Sequence, residues 1–335
     1  MLKILSRKEL LAAKCYSDIF DSNETIAKKQ FRKYIRLYHP DVEDTDEANK
    51  ILEIIQRLYS NMGSSHSSAS VSDSFIFKDK ITKKGFEIQN PVIINNGTCM
   101  VYHTATKVVL KFGKDYKKFY EQYIRNVGLL RYADEKMEKQ FKRKFPNIVK
   151  QFESTEGDFI VLLDKTPEVL NLGIIVASYE KMGKPFPEKQ AAWIMNRLFN
   201  HAQYMLYSGK VFNGFSLSNL WVSPEYHTVL LLNGWEYTTM VGDKMLGCPK
   251  EVFNLLPVEA RDKHISVTTT DLECIKGIGR ELFKGTKATN CQKYFETGLK
   301  EKTPLDEWEL YGNAVKADFG KREFIIWENV PYNKI

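Results

Sequence analysis

The sequence predicts a multidomain chain: a small all-α module followed by an α+β two-lobed domain. Residues 6–60 carry apolar side chains at helical spacing, and residues 61–74 are a run of small polar residues with little to bury. From Phe75 onward, short β-rich pieces with Asn/Gly turns come first and long helical pieces follow. The 335 residues set a prior of about two domains. With 43% hydrophobic and 27% charged residues there is enough apolar material for a sizeable core. That excludes a disordered tail, a collagen-like repeat and a small disulfide scaffold.

No run approaches the ~18 apolar residues of a membrane span; Ile160-Val-Leu-Leu163 and Val229-Leu-Leu-Leu232 are strand-sized. Residues 1–10 place charges where a signal peptide needs its apolar stretch, so a cytoplasmic chain with no membrane partner is expected. Cys15, Cys99, Cys248, Cys274 and Cys291 are scattered and include no Cys-x-x-Cys pair, which favours reduced thiols over disulfides or a metal site. A net charge of +7 is mild for this length, and nucleic acid is not an expected partner. The cluster Lys139, Lys142, Arg143 and Lys144 reads as a solvated helix face.

In the first module, Ser6 caps a helix expected to reach Phe20, and Asp21-Ser22-Asn23 breaks the chain. Asn23 or Ser22 caps a second helix, whose stripe is Ala27, Phe31, Tyr34 and Tyr38. Its other face carries Lys28, Lys29, Arg32, Lys33 and Arg36, and Pro40 ends it for want of a backbone donor. Thr45 or Asp46 opens a third helix with the stripe Ala48, Leu52, Ile55 and Tyr59. The two stripes face each other in a hairpin with Tyr38-His-Pro-Asp-Val42 at its tip. Together with Cys15-Tyr-Ser-Asp-Ile-Phe20, Lys28-Lys-Gln-Phe-Arg-Lys-Tyr-Ile-Arg-Leu-Tyr-His-Pro-Asp41 and Leu52-Glu-Ile-Ile-Gln-Arg-Leu-Tyr59, this resembles a J-domain. The resemblance implies that His39, Pro40 and Asp41 stimulate ATP hydrolysis by a DnaK-type chaperone, with Lys28, Lys29, Arg32, Lys33 and Arg36 attracting its acidic surface. Neither a Gly/Phe-rich segment nor a cysteine-rich module follows, so client capture falls to the second domain.

In that domain, strands are expected at residues 86–89, 92–94, 100–102, 108–112 and 159–163, and helices at 116–133 and 188–206. Val108-Val-Leu-Lys111, Phe145-Pro-Asn-Ile-Val149, Phe212-Asn-Gly-Phe-Ser-Leu-Ser-Asn219, Asn233-Gly-Trp235, Pro257-Val-Glu259 and Asp271-Leu-Glu-Cys-Ile-Lys-Gly-Ile-Gly279 follow in an order that resembles a protein kinase. The resemblance implies possible nucleotide-binding positions at Gly97, Lys111, Asn219 and Asn233, an acidic partner for Lys111 at Glu121, and a structural Glu259–Arg280 pair. It also exposes losses. Gly214 stands where the catalytic aspartate belongs, five residues before Asn219, and Asn233 stands at the metal-holding aspartate. A glycine accepts no proton, and general-base help is worth about 10²–10⁴-fold. Gly97 alone remains of the phosphate loop's glycines. The expectation is a pseudokinase with no catalytic residues, no metal and no cofactor beyond residual ATP/Mg²⁺, which serves as the client- or partner-binding part of a J-domain co-chaperone.

The expected boundaries are 1–60 for the J-domain, 61–74 for the linker, 75–300 for the kinase-like domain (lobes 75–165 and 166–300) and 301–335 for a C-terminal extension. Two alternatives follow from the same residues. One is a divergent phosphotransferase or nucleotidyl transferase that uses Lys111, Asn219 and Asn233 in altered roles. The other is a non-catalytic inhibitor or decoy. His201, His227 and His264 lack metal spacing, and Trp193, Trp221 and Trp235 read as core or cleft wall.

Overall fold

The computed structural model describes residues 5–13, 18–21, 23–38, 42, 43, 45–60, 74–321, 325, 327 and 329–332. His39, Pro40, Asp41, Cys15 and most of the predicted linker lie outside the described residues, as does the side chain of Lys28.

Helix α1 (Arg7–Ala12) opens with a capping box, in which Ser6 and Glu9 bond each other's backbone N–H. It is shorter than the sequence suggests. Ala13 is extended and breaks the helical ladder, and Ile19 and Phe20 reach the core from a turn instead. Helix α2 (Glu24–Tyr38) is capped by Asn23, whose Oδ1 accepts from Ile26 N at 3.2 Å. Thr45 Oγ1 accepts from Ala48 N at 3.2 Å and caps α3 (Asp46–Ser60). Ala27, Phe31, Tyr34, Tyr38, Ala48, Leu52 and Ile55 are buried, and with Leu10, Ile19 and Phe20 they form a hydrophobic cluster of their own. Lys29, Lys33 and Arg36 are exposed, whereas Arg32 is half-buried rather than part of the solvated face.

Beyond residue 73, β1 (Ser74–Lys78) and β2 (Gly85–Gln89) form a separate hairpin instead of starting one meander, and β1 takes in the last residue of the predicted linker. The main sheet comprises β3 (Val92–Asn95), β4 (Cys99–His103), β5 (Lys107–Phe112), β6 (Ile148–Glu153) and β7 (Phe159–Asp164), antiparallel in the order β3-β4-β5-β7-β6. Helices α4 (Lys117–Gly128) and α5 (Glu135–Phe141) connect β5 to β6. The hairpin covers one face of this sheet, where Phe77 and Ile88 pack on Tyr102, Val109, Ile160 and Leu162. The other face, with Val101, Val108, Leu110, Phe112, Val161 and Leu163, joins the large core shared with the helical lobe. Because strand side chains alternate between faces, β5 sends Val108, Leu110 and Phe112 into the core and carries Val109 between Lys107 and Lys111 on the face toward the hairpin.

The second lobe contains β8 (Leu170–Asn171), α6 (Leu172–Lys181), α7 (Glu188–Tyr207), β9 (Lys210–Val211), β10 (Trp221–Ser223), β11 (Thr228–Leu230), β12 (Thr239–Met240), α8 (Val258–Lys263), α9 (Thr270–Phe283), α10 (Thr289–Glu296) and α11 (Pro304–Phe319). Within the predicted C-terminal extension, α11 and Trp327 pack on this lobe. Tyr311 of α11 is buried and donates to Ala192 O at 3.0 Å, and Trp327 is buried as well. Lys144 also departs from expectation: it is buried with its ammonium 4.4 Å from the Phe141 ring centroid, not on a solvated face. Cys99, Cys274 and Cys291 are buried free thiols. Among the described residues no helix is long and apolar enough to cross a membrane.

Candidate functional site between the sheet and the helical lobe

The loop that follows β9 is held from below by α9. Asp271 accepts from the backbone N–H of Phe212 at 2.8 Å and of Asn213 at 2.9 Å. Asn213 has φ 56°, a left-handed conformation that asparagine tolerates better than most residues, and its amide donates to Ser266 Oγ at 2.7 Å and Tyr237 O at 3.0 Å. Burial pushes the Asp271 carboxyl from 3.8 up to about 7, against the two backbone donors. A carboxyl with a higher pKa folded than unfolded holds its proton more tightly in the native state. Its contribution to stability is complete below pH 3.8 and lost as pH rises through about 7. Relative to Asp271→Asn, the parent is therefore expected to lose unfolding free energy across that window in urea titrations. A difference between the two proteins that stays flat with pH would remove this assignment.

Gly214 sits where a side chain does not fit. A Cβ there would lie 2.9 Å from Gly234 O and 3.1 Å from the Phe212 ring. Gly234 itself has φ 93°, in the region that favours glycine. Gly214→Asp is thus expected to cost about 1–3 kcal/mol by overpacking and to restore no phosphotransfer. Parent-like stability by urea denaturation, with or without recovered transfer, would contradict this.

Beside Gly214 the structure brings Asn219 and Asn233 together. Asn219 Nδ2 donates to Gly214 O at 3.0 Å, and Asn233 Nδ2 donates to Asn219 Oδ1 at 2.5 Å. Trp221 Nε1 donates to Asn233 Oδ1 at 2.8 Å. From the sheet side, the turn between β3 and β4 closes onto the same group. Asn96 Nδ2 reaches Asn219 Oδ1 and Glu236 Oε1, each at 3.2 Å, and Thr98 Oγ1 donates to Glu236 Oε1 at 3.2 Å. Gly234 N donates to Glu236 Oε2 at 2.9 Å. Asn96, Asn219, Asn233 and Glu236 are all buried. Burial raises the Glu236 carboxyl above its usual range, with the donors of Asn96, Thr98 and Gly234 pulling the other way. A carboxyl and three amides thus satisfy one another in the cleft. Gly97, in the same turn, has φ 88°, a left-handed conformation that favours glycine, and its N donates to Asn95 Oδ1 at 2.9 Å.

Lys111 is not part of this group. It shares a face of β5 with Val109, under the β1–β2 hairpin, and its ammonium pairs with Asp158 at 2.8 Å. That pair raises the lysine's pKa. The residue that alternation turns toward the helical lobe is Leu110. Glu121 pairs with Lys117 at 3.7 Å and not with Lys111. Helix α4 is tied to the cleft by amides instead. Gln122 donates to Glu236 O at 2.8 Å, Asn126 to Thr238 O at 2.7 Å, and the Tyr123 hydroxyl to Leu232 O at 2.7 Å. The expected Glu259–Arg280 pair is also absent. Glu259 bonds Lys263 at 3.0 Å on the surface, and Arg280 donates to Phe295 O at 3.1 Å. A different buried pair, Lys276 with Glu307 at 3.5 Å, braces α9 against α11.

No protein-family model and no curated protein matches this sequence. Among solved structures, the chain is similar to vaccinia related kinase 3, with 14% identity and a TM-score of 0.46, over 77% of this chain and 80% of that one. It is also similar to the BubR1 kinase domain, with 9% identity and a TM-score of 0.46, over 76% and 83%. Identities this low assign no family, and the chemistry of the cleft rests on its own geometry.

Asn96, Gln122, Asn126 and Glu236 are site residues that motif order did not reveal. Two signals for them exist: Gln122 and Asn126 are four apart on the apolar face of α4, and Glu236 is a lone charge between Trp235 and Tyr237.

Proposed function

We propose that this chain is a J-domain-like co-chaperone whose larger domain is a non-catalytic, protein-kinase-like scaffold. The helical module recruits and stimulates a DnaK-type ATPase, and the scaffold holds a client or partner protein. The observation that carries the non-catalytic part is the filled cleft. Glu236 and three asparagines use one another's hydrogen bonds where phosphates and metal would have to enter, and Gly214 has no room for a base. The enzyme alternative loses its proposed lysine, since Lys111 faces the β1–β2 hairpin. Support for the recruiting part is the buried-stripe packing of α1, α2 and α3, the exposed Lys29, Lys33 and Arg36, and the His39-Pro40-Asp41 sequence at the end of α2. The test is the ATPase rate of a purified DnaK-type chaperone with the parent chain and with His39→Gln. Stimulation by the parent alone is expected, and equal rates with both proteins would overturn the recruiting role.

A further inference from the structure

Positive charge gathers without an answering acid where the end of α4 meets the end of α7 and the β9–β12 pair. Lys210 opens β9, sits opposite Met240 of β12 and is 9% exposed, and its ammonium reaches Leu129 O, just past α4, at 3.4 Å. Arg125 lies exposed in the last turn of α4. Arg131, also exposed, has its backbone N–H on the Tyr204 hydroxyl of α7 at 3.3 Å. Burial lowers the Lys210 pKa, and the positive charges of Arg131 and Arg125 lower it further. Among the described residues none of the three forms an ion pair, whereas Lys117 at the other end of α4 stands beside Glu121. Leu129, Tyr207 and Met240 border the same cations and are 52%, 50% and 47% exposed. Met240 and Lys210 are cross-strand partners, so their side chains leave the same side of the strand pair. The Met240 methyl lies 3.3 Å from where a Cβ on Gly209 would stand, at the turn that follows Tyr207.

We propose that this junction docks an acidic peptide segment of a partner protein, with its carboxylates on Lys210, Arg125 and Arg131 and its apolar side chains on Leu129, Tyr207 and Met240. The inference deepens the partner-holding half of the proposed function and rests on that reading. An ammonium this buried beside two guanidinium groups is unfavourable in the free chain, and an incoming carboxylate relieves it. The exposed arginines steer a negative segment in and set its register, and the apolar trio adds the buried area that charge alone does not supply. A nucleic-acid backbone answers the cations but leaves the three apolar side chains facing phosphate and water, which favours a peptide.

The experiment selects random displayed peptides on the immobilised full chain and measures the affinity of the enriched ones for the parent and three variants. Arg125→Glu with Arg131→Glu reverses the exposed charges, Lys210→Met removes the ammonium and keeps the stem, and Lys83→Glu with Lys84→Glu is a charge-matched control on the exposed β1–β2 turn. Thermal unfolding confirms that each variant is folded. The enriched peptides are expected to be acidic with interspersed apolar residues. They are expected to bind the arginine variant and Lys210→Met roughly 10-fold more weakly than the parent, to bind the control like the parent, and to weaken as salt rises. Equal affinity for the parent and the arginine variant puts peptide binding elsewhere and overturns the site alone. No enrichment on the parent overturns the site together with the partner-holding reading. A labelled single-stranded DNA that binds the parent and is lost in the arginine variant, with no acidic peptide enriched, overturns the site in favour of nucleic acid. None of these readings depends on chaperone ATPase stimulation, so the recruiting role and the docking site fail separately.

Discussion

Alanine at Glu307 is expected to destabilise the protein by about 3–5 kcal/mol, the usual consequence of stranding one member of a buried ion pair. The carboxylate and Lys276 are 0% and 1% exposed, and Lys276 has its ammonium over the Tyr294 ring at 3.4 Å and on Tyr294 O at 2.8 Å. Glu307 also accepts from Lys300 N at 2.6 Å, Glu301 N at 2.9 Å and the Tyr294 hydroxyl at 2.5 Å. Burial alone would push its carboxyl up, but these donors outweigh it and hold the pKa below the usual range. Removing the carboxylate leaves an ammonium, two backbone donors and a phenol in a site closed to water. Replacing both charges by apolar groups of similar size, as in Lys276→Met with Glu307→Leu, is expected to recover part of the loss. Lys142→Ala is the surface comparison. Its bond to Glu138 at 2.8 Å is largely solvated and is expected to change stability by about 1 kcal/mol or less. Urea denaturation that places Glu307→Ala within 1 kcal/mol of the parent would show that the pair is not the brace of α9 against α11.

His39→Gln is expected to return a stimulated DnaK-type ATPase to its unstimulated rate while leaving the stability of this chain unchanged. The physical division of labour is between steering and triggering. On the proposed reading, an exposed cationic face speeds encounter with an acidic surface and is screened by salt, whereas the contacts assigned to His39, Pro40 and Asp41 would be short-range and less screened. Reversing Lys33 and Arg36 to glutamate should therefore raise the chain concentration needed for half-maximal stimulation at low salt and leave the maximal rate close to that of the parent. Steady-state phosphate release against chain concentration separates the two behaviours. A His39→Gln protein with full maximal stimulation, or a charge reversal that changes nothing at low salt, would remove the recruiting role.

What the sequence made legible follows from where one periodicity was enough. The stripes Ala27-Phe31-Tyr34-Tyr38 and Ala48-Leu52-Ile55 placed α2 and α3, because an isolated helix buries one face. The loop from Phe212 to Asn219 and the Asp271 segment came through in position, since order along the chain carried them, while the bonds from Asp271 to the loop emerged only from the fold. Lys111 did not. Alternation along Val108-Val-Leu-Lys-Phe112 puts Val108, Leu110 and Phe112 on one apolar face and Lys111 beside Val109 on the other, and motif order took no account of which face meets the helical lobe. Glu121 and Glu259 found partners one helical turn away, at Lys117 and Lys263, because a local pair needs no tertiary closure. Lys276 and Glu307 are far apart in sequence, and nothing local marks either as buried. Helix α1 stopped early because its apolar residues beyond Ala12 enter the core from a turn. The packing of α11 and Trp327 was hidden for the same reason as the Lys276–Glu307 pair: Tyr311 and Trp327 bury against α7 and α6, elements more than a hundred residues earlier.

Titration of the full chain with ATP and Mg²⁺, followed by calorimetry and by thermal unfolding, tests the filled cleft most directly. With Asn96, Asn219, Asn233 and Glu236 bonded to one another and Gly214 barred from carrying a base, no heat of binding and an unchanged Tm are expected. A saturable heat and a rise in Tm that both vanish in Asn219→Ala would mean that the nucleotide enters, and that the cleft is a working site instead of a closed one.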